Sequence, residues 1–133
     1  MNADLPLRQP CPPGACTCGR ERLHEGPRAA QRILLLTRQE EKRLLDRLEN
    51  IKSLEDLARL QQRLHEQLGI RVRIAPGINE VRTMRGIQIE LEEQPGLCRK
   101  TRQAIPAAIR RGLERNPQVA FGLLNEHDLL RDA

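Results

Sequence analysis

The chain has 133 residues, the usual size of one domain, and is long enough to bury a core without disulfide staples. Charged residues make up 31% of it and the net charge is +5. Apolar runs such as Ile33 to Leu36 and Val119 to Leu124 fall far short of a bilayer span, so no membrane-crossing helix is expected. Trp and Tyr are absent and Phe121 is the single aromatic, so the core must come from Leu, Ile, Val and Ala, which suits helices laid on a small sheet.

Residues 1–31 read as a disordered, flexible tail, because Pro6, Pro10, Pro12, Pro13, Gly14, Gly19, Gly26 and Pro27 interrupt any periodicity. The tail has no apolar central region of the kind a secretory signal carries, which makes the cytoplasm the expected location and reduced thiols the expected state. A single α+β domain is expected over 32–133. The run Ile33 to Leu36 fits either a short buried strand or the lead-in to a helix.

Thr37 reads as an N-cap, with Glu40 three residues later completing a capping box. The helix it opens carries Leu44, Leu45, Leu48 and Ile51 at core-facing spacing. Ser53 restarts the pattern, with Glu55 and Asp56 in the first turn, where carboxylates favour the positive end of the helix dipole. Leu54, Leu57, Leu60, Leu64 and Leu68 form a second stripe, and Gly69 is placed to end it. The short link between the two makes an antiparallel helical hairpin the expectation.

At Ile70 the period changes. Ile70, Val72 and Ile74 alternate with Arg71 and Arg73, and later Ile87, Ile89 and Leu91 alternate with Gln88, Glu90 and Glu92; both are half-buried strands. Arginines on one and glutamates on the other suit cross-strand pairing on a solvated face. Pro76 to Asn79 reads as a turn, the chain is extended again from Val81, and Gly86 marks a bulge or a second turn, so the antiparallel sheet has two strands or three. Gln94, Pro95 and Gly96 end it. Residues 98–115 read as helical, with Pro106 forcing either one kinked helix or two short ones. Asn116 and Pro117 open a last helix with Val119, Leu123 and Leu124, and Leu129 and Leu130 close the chain.

Two features carry chemistry. Cys11, Cys16 and Cys18 sit as C-x4-C-x-C, close enough for their sulfurs to bind zinc or an iron–sulfur cluster, with His24 or Cys98 as the fourth ligand. Paired C-x2-C knuckles are missing, so a redox thiol or incidental cysteines are the competing interpretations. The second feature is basic: residues 99–115 carry Arg99, Lys100, Arg102, Arg110, Arg111 and Arg115 against Glu114 alone. Those side chains suit phosphates of DNA or an acidic protein, with Thr101 and Gln103 adding hydrogen bonds, or they form a plain solvated face whose removal costs little stability. The lack of aromatics argues against single-strand or RNA binding.

No phosphate-cradling glycine loop, nucleophile elbow or helical HExxH motif occurs. Cys98 with a distant histidine is the remaining route to catalysis, and Glu126, His127 and Asp128 are adjacent only in one dimension. The expectation is therefore a small binding or regulatory protein, metal-dependent through its tail and with a basic surface for DNA or an acidic partner. The competing reading is a protein-interaction module or homodimer formed through the helical hairpin.

Overall fold

The computed structural model describes residues 7–8, 19, 23, 28–76 and 87–126. Cys11, Cys16, Cys18, His24, the segment 77–86 and the C-terminal residues from 127 lie outside the described residues. The elements are a 3₁₀ helix (Arg28–Leu35), α1 (Arg38–Leu48), α2 (Leu54–Leu68), β1 (Val72–Pro76), β2 (Ile87–Leu91), α3 (Arg99–Arg115) and α4 (Pro117–Glu126). The arrangement is α+β.

The run Ile33 to Leu36 is helical lead-in rather than strand. Its 3₁₀ turn of three residues puts Ile33 and Leu36 on one side, and both are buried with Leu34. The 3₁₀ helix starts at Arg28. Leu23 is also buried, and the Gln31 side chain donates to its carbonyl at 2.9 Å, so part of the tail belongs to the core.

Both helix starts expected from the sequence are present, each with a twist. The Thr37 hydroxyl accepts from the Glu40 N–H at 3.2 Å, but the Glu40 carboxylate takes Arg43 and the Thr37 N–H goes to Leu35 O, leaving half a capping box. At α2, Ser53 accepts from the Asp56 N–H at 3.0 Å while Asp56 accepts from the Lys52 N–H at 3.0 Å. The other oxygen of Asp56 pairs with Arg47 of α1, so this carboxylate, 7% exposed, ties the turn between the helices together. Gly69 ends α2 in the left-handed region at φ +75°, where a Cβ is costly; its N–H and that of Ile70 take His65 O and Leu64 O.

The described residues form a two-stranded antiparallel sheet with Val72 opposite Leu91, Arg73 opposite Glu90 and Ile74 opposite Ile89. Period-two alternation turns Ile87, Ile89 and Leu91 into the core with Val72 and Ile74 beside them, and leaves Arg71, Arg73, Gln88 and Glu90 outside. Arg71 pairs with Glu92 at 3.8 Å on that outer face, the charge pattern expected from the sequence. Side chains also reach the strands: Gln61 of α2 donates to Val72 O and Arg110 of α3 to Ile87 O.

α3 is one helix of 17 residues with Pro106 inside it. Proline removes one N–H from the ladder and costs about 3 kcal/mol in a helix interior. Here the helix is pinned on both sides of the ring by buried residues, Thr101 and Ile105 before it and Ala108, Ile109, Gly112 and Leu113 after it, so packing holds what local propensity would break. α3 lies along α1, and the two run in the same direction. Thr101 bonds Glu41 near their starts, while Arg111 and Arg115 both pair with Glu49 just past the end of α1. Between them the helices nearly touch: a Cβ built on Gly112 would lie 2.3 Å from Leu48 O. Asn116 finishes the seam by donating to Ile51 O and Lys52 O.

Candidate functional site

The six basic residues expected to form one surface divide between two tasks. Arg102 pairs with Glu93 at 2.7 Å, Arg111 and Arg115 share Glu49, and Arg110 donates to Ile87 O on β2. These four reach neighbouring elements, Arg111 and Arg115 while still half-exposed, so replacing Arg110 and Arg111 removes contacts to β2 and to Glu49 at the end of α1. Arg99 and Lys100 are different: both are exposed and have no partner among the described residues. Of the two polar neighbours expected to reach outward, Gln103 does so and Thr101 is 1% exposed, turned into the molecule.

α3 therefore starts in an unusual way. Its N-cap is Cys98, with no side-chain hydrogen bond to the first turn, and that turn holds no acidic residue. The positive end of the helix dipole carries two cations where carboxylates are favoured. Because α1 runs parallel to α3, its start lies at the same end and adds exposed Arg38 and Lys42, without described partners, beside Glu40, which pairs with Arg43, and Glu41, which is turned to Arg8.

Beneath this end sits a polar cluster that no spacing in the sequence announces. Arg8, from the tail, donates through Nη1 to Leu36 O at 2.8 Å and to Glu41 Oε1 at 2.9 Å, and through Nη2 to Thr101 Oγ1 at 2.9 Å. The Thr101 hydroxyl donates in turn to Glu41 Oε1 at 3.0 Å, and the Arg8 N–H donates to Leu34 O at 2.7 Å. The guanidinium also hydrogen-bonds Cys98. Burial of Arg8 pulls against its charge, but the hydrogen bonds to Glu41 and Cys98 outweigh it and raise its pKa further. Cys98, 8% exposed, is thus a partner of a cation at the foot of α3. Arg8 and Glu41 are the residues sequence reasoning missed. One lies among prolines, its partners are 33 and 93 residues away, and no local period links them.

Among the described residues no group of three or more His, Cys, Asp or Glu gathers around a point. The tail ligands Cys11, Cys16, Cys18 and His24 lie outside those residues, and His65 is exposed on α2. No described helix is long and apolar enough to cross a membrane. Comparison with protein-family models, curated proteins and solved structures finds no match to this chain.

Proposed function

We propose that the chain is a binding protein whose partner is an acidic protein segment, met at the end where α1 and α3 begin. The observation that carries this is the first turn of α3, which places Arg99 and Lys100 on the positive end of its own dipole without a cap or a carboxylate. Such an arrangement works against helix stability, and a local rule broken without internal compensation is characteristic of a binding surface. An incoming carboxylate would meet the side-chain cations Arg99 and Lys100 and the N–H groups of the α3 first turn, which no side chain caps. An acidic segment suits this end better than duplex DNA, because along the rest of the α3 basic face Arg102, Arg111 and Arg115 are offset by Glu93 and Glu49, and Arg110 is turned to Ile87 O, which interrupts a continuous charged stripe for a groove.

Exchanging Arg99 and Lys100 together for Glu separates binding from stability. The variant is expected to lose binding to a glutamate-rich polypeptide by tenfold or more at low salt. Its thermal stability should stay level or rise, since first-turn carboxylates contribute about 0.3–1 kcal/mol. Binding of the parent chain should weaken with rising salt. Retention of duplex DNA with a steep salt slope would assign the surface to phosphates instead. Salt-resistant self-association with no binding of either polyanion would assign the chain to the interaction-module class, with exposed Leu35 and Phe121 as its apolar contacts.

The tail cysteines extend the proposal. Cys11, Cys16 and Cys18 supply three soft ligands for zinc or an iron–sulfur cluster, and His24 suits the fourth place better than Cys98, whose neighbour is the Arg8 guanidinium. A metal ion at Cys98 would face that charge at close range. Anaerobically purified protein is expected to carry about one equivalent of metal. Cys16→Ser should release it with the domain still folded, and Cys98→Ser should leave the metal content unchanged. Metal-free protein under those conditions would end this part of the reading.

A further inference from the structure

We propose that the cleft between the end of the 3₁₀ helix, α1 and α3 is an arginine-binding site, and that Arg8 is a displaceable occupant supplied by the chain's own tail. The lining is made by the folded domain alone: Leu34 O, Leu36 O, the Glu41 carboxylate and the Thr101 hydroxyl, each accepting a hydrogen bond from Arg8, with Cys98 beside its guanidinium. Thr101, itself bonded to Glu41 at 3.0 Å, holds that carboxylate in place from the α3 side. A planar fork of donors carrying a positive charge matches such a set, whereas an ammonium group brings a point charge that cannot serve spread acceptors equally. The bond from the Arg8 N–H to Leu34 O adds a main-chain contact, so the ligand class is an arginine within a peptide and not a free guanidinium ion.

Arg8 is the one tail residue that enters the cleft among the described residues, and the domain residues that hold it do so through four hydrogen-bond acceptors that any peptide arginine can use. The side chains of both Arg8 and Glu41 keep some access to solvent, 18% and 19%, so exchange does not require the core to open. This site stands apart from the anionic-partner surface above. It takes the opposite charge and rests on different residues.

The test uses the full chain with Arg8→Ala and the probe N-acetyl-arginine amide, which carries both the guanidinium and the main-chain N–H. At ten times its Kd the probe is expected to raise the melting temperature of the variant by about 5 °C. It should leave the parent chain, whose site is filled, almost unmoved. N-acetyl-lysine amide at equal concentration should have no effect, and the double variant Arg8→Ala with Glu41→Gln should not respond. If Arg8→Ala fails to fold, the same titration on Arg8→Lys serves, because the flexible ammonium fills the cleft incompletely. No response in the single variant overturns the proposal and leaves Arg8 as a fixed structural anchor. Equal responses in parent, single and double variants overturn it as well, showing a general arginine effect.

Discussion

Replacing Gly112 with alanine is expected to lower stability by about 2–3 kcal/mol, or roughly 10 °C in melting temperature. In an exposed helix interior the same change would stabilise by up to about 1 kcal/mol, because alanine has the better helix propensity. The sign reverses here because the new methyl would lie 2.3 Å from Leu48 O and 3.1 Å from the Ile51 side chain. A backbone carbonyl cannot turn aside as a side chain can, so α1 and α3 must move apart. That shift also strains the pairs of Glu49 with Arg111 and Arg115. Gly122 in α4 provides the control: its added methyl would meet Leu54 at an ordinary 3.5 Å, so Gly122→Ala should be neutral or stabilising. Thermal melts of the two variants side by side check the seam between α1 and α3. Equal behaviour of both would show that the helices do not approach as described.

The second large effect is expected at Asp56. The hydrogen bond from Arg47 holds its carboxyl below the usual aspartate value of 3.8, against the opposing pull of burial and with help from the Lys52 N–H. A depressed carboxyl favours the folded state above the unfolded aspartate range, and that contribution is lost as pH falls through the folded value. Asp56→Asn should therefore cost about 2 kcal/mol at neutral pH, the scale of hydrogen bonds to a charged group. The loss stays below that of a fully buried pair because the Arg47 side chain is 42% exposed and regains water when its partner goes. Denaturant titrations at pH 7 and then at several values below pH 3.8 give the comparison. The gap between parent and variant should shrink steadily in acid. A gap that persists there would mean that packing, not charge, makes Asp56 important.

Where interactions are local, the sequence announces them. Thr37, Ser53 and Gly69 mark helix ends through bonds spanning three to six residues, and the change of period at Ile70 locates the first strand and its buried face. Pro106 misleads because its penalty is local and its remedy is tertiary: the buried residues on both sides of it are supplied with partners by α1 and β2. Asp56 shows a partial success, since its place in a first turn is legible while its bond to Arg47 depends on how two helices meet. Arg8 was hidden altogether, for its acceptors come from three elements that only the completed fold brings together. The basic stretch divides for the same reason. Six like charges close in sequence look alike until Glu49, Glu93 and Ile87 O claim four of them.

The same-direction pairing of α1 with α3 also governs how the molecule comes into being. Arg111 and Glu49 stand 62 residues apart, with all of α2 and the sheet between them. α1 is short and has its apolar side, including Leu44, Leu45 and Leu48, turned toward partners that come later in the chain. On a ribosome adding about 5–20 residues per second, α1 waits several seconds before the second half of α3 has been made. Closing so long a loop is slow compared with forming a helical turn, so docking of α3 onto α1 should be the late step of folding. Until it occurs, the leucines of α1 face water and are the part of the nascent chain most exposed to aggregation.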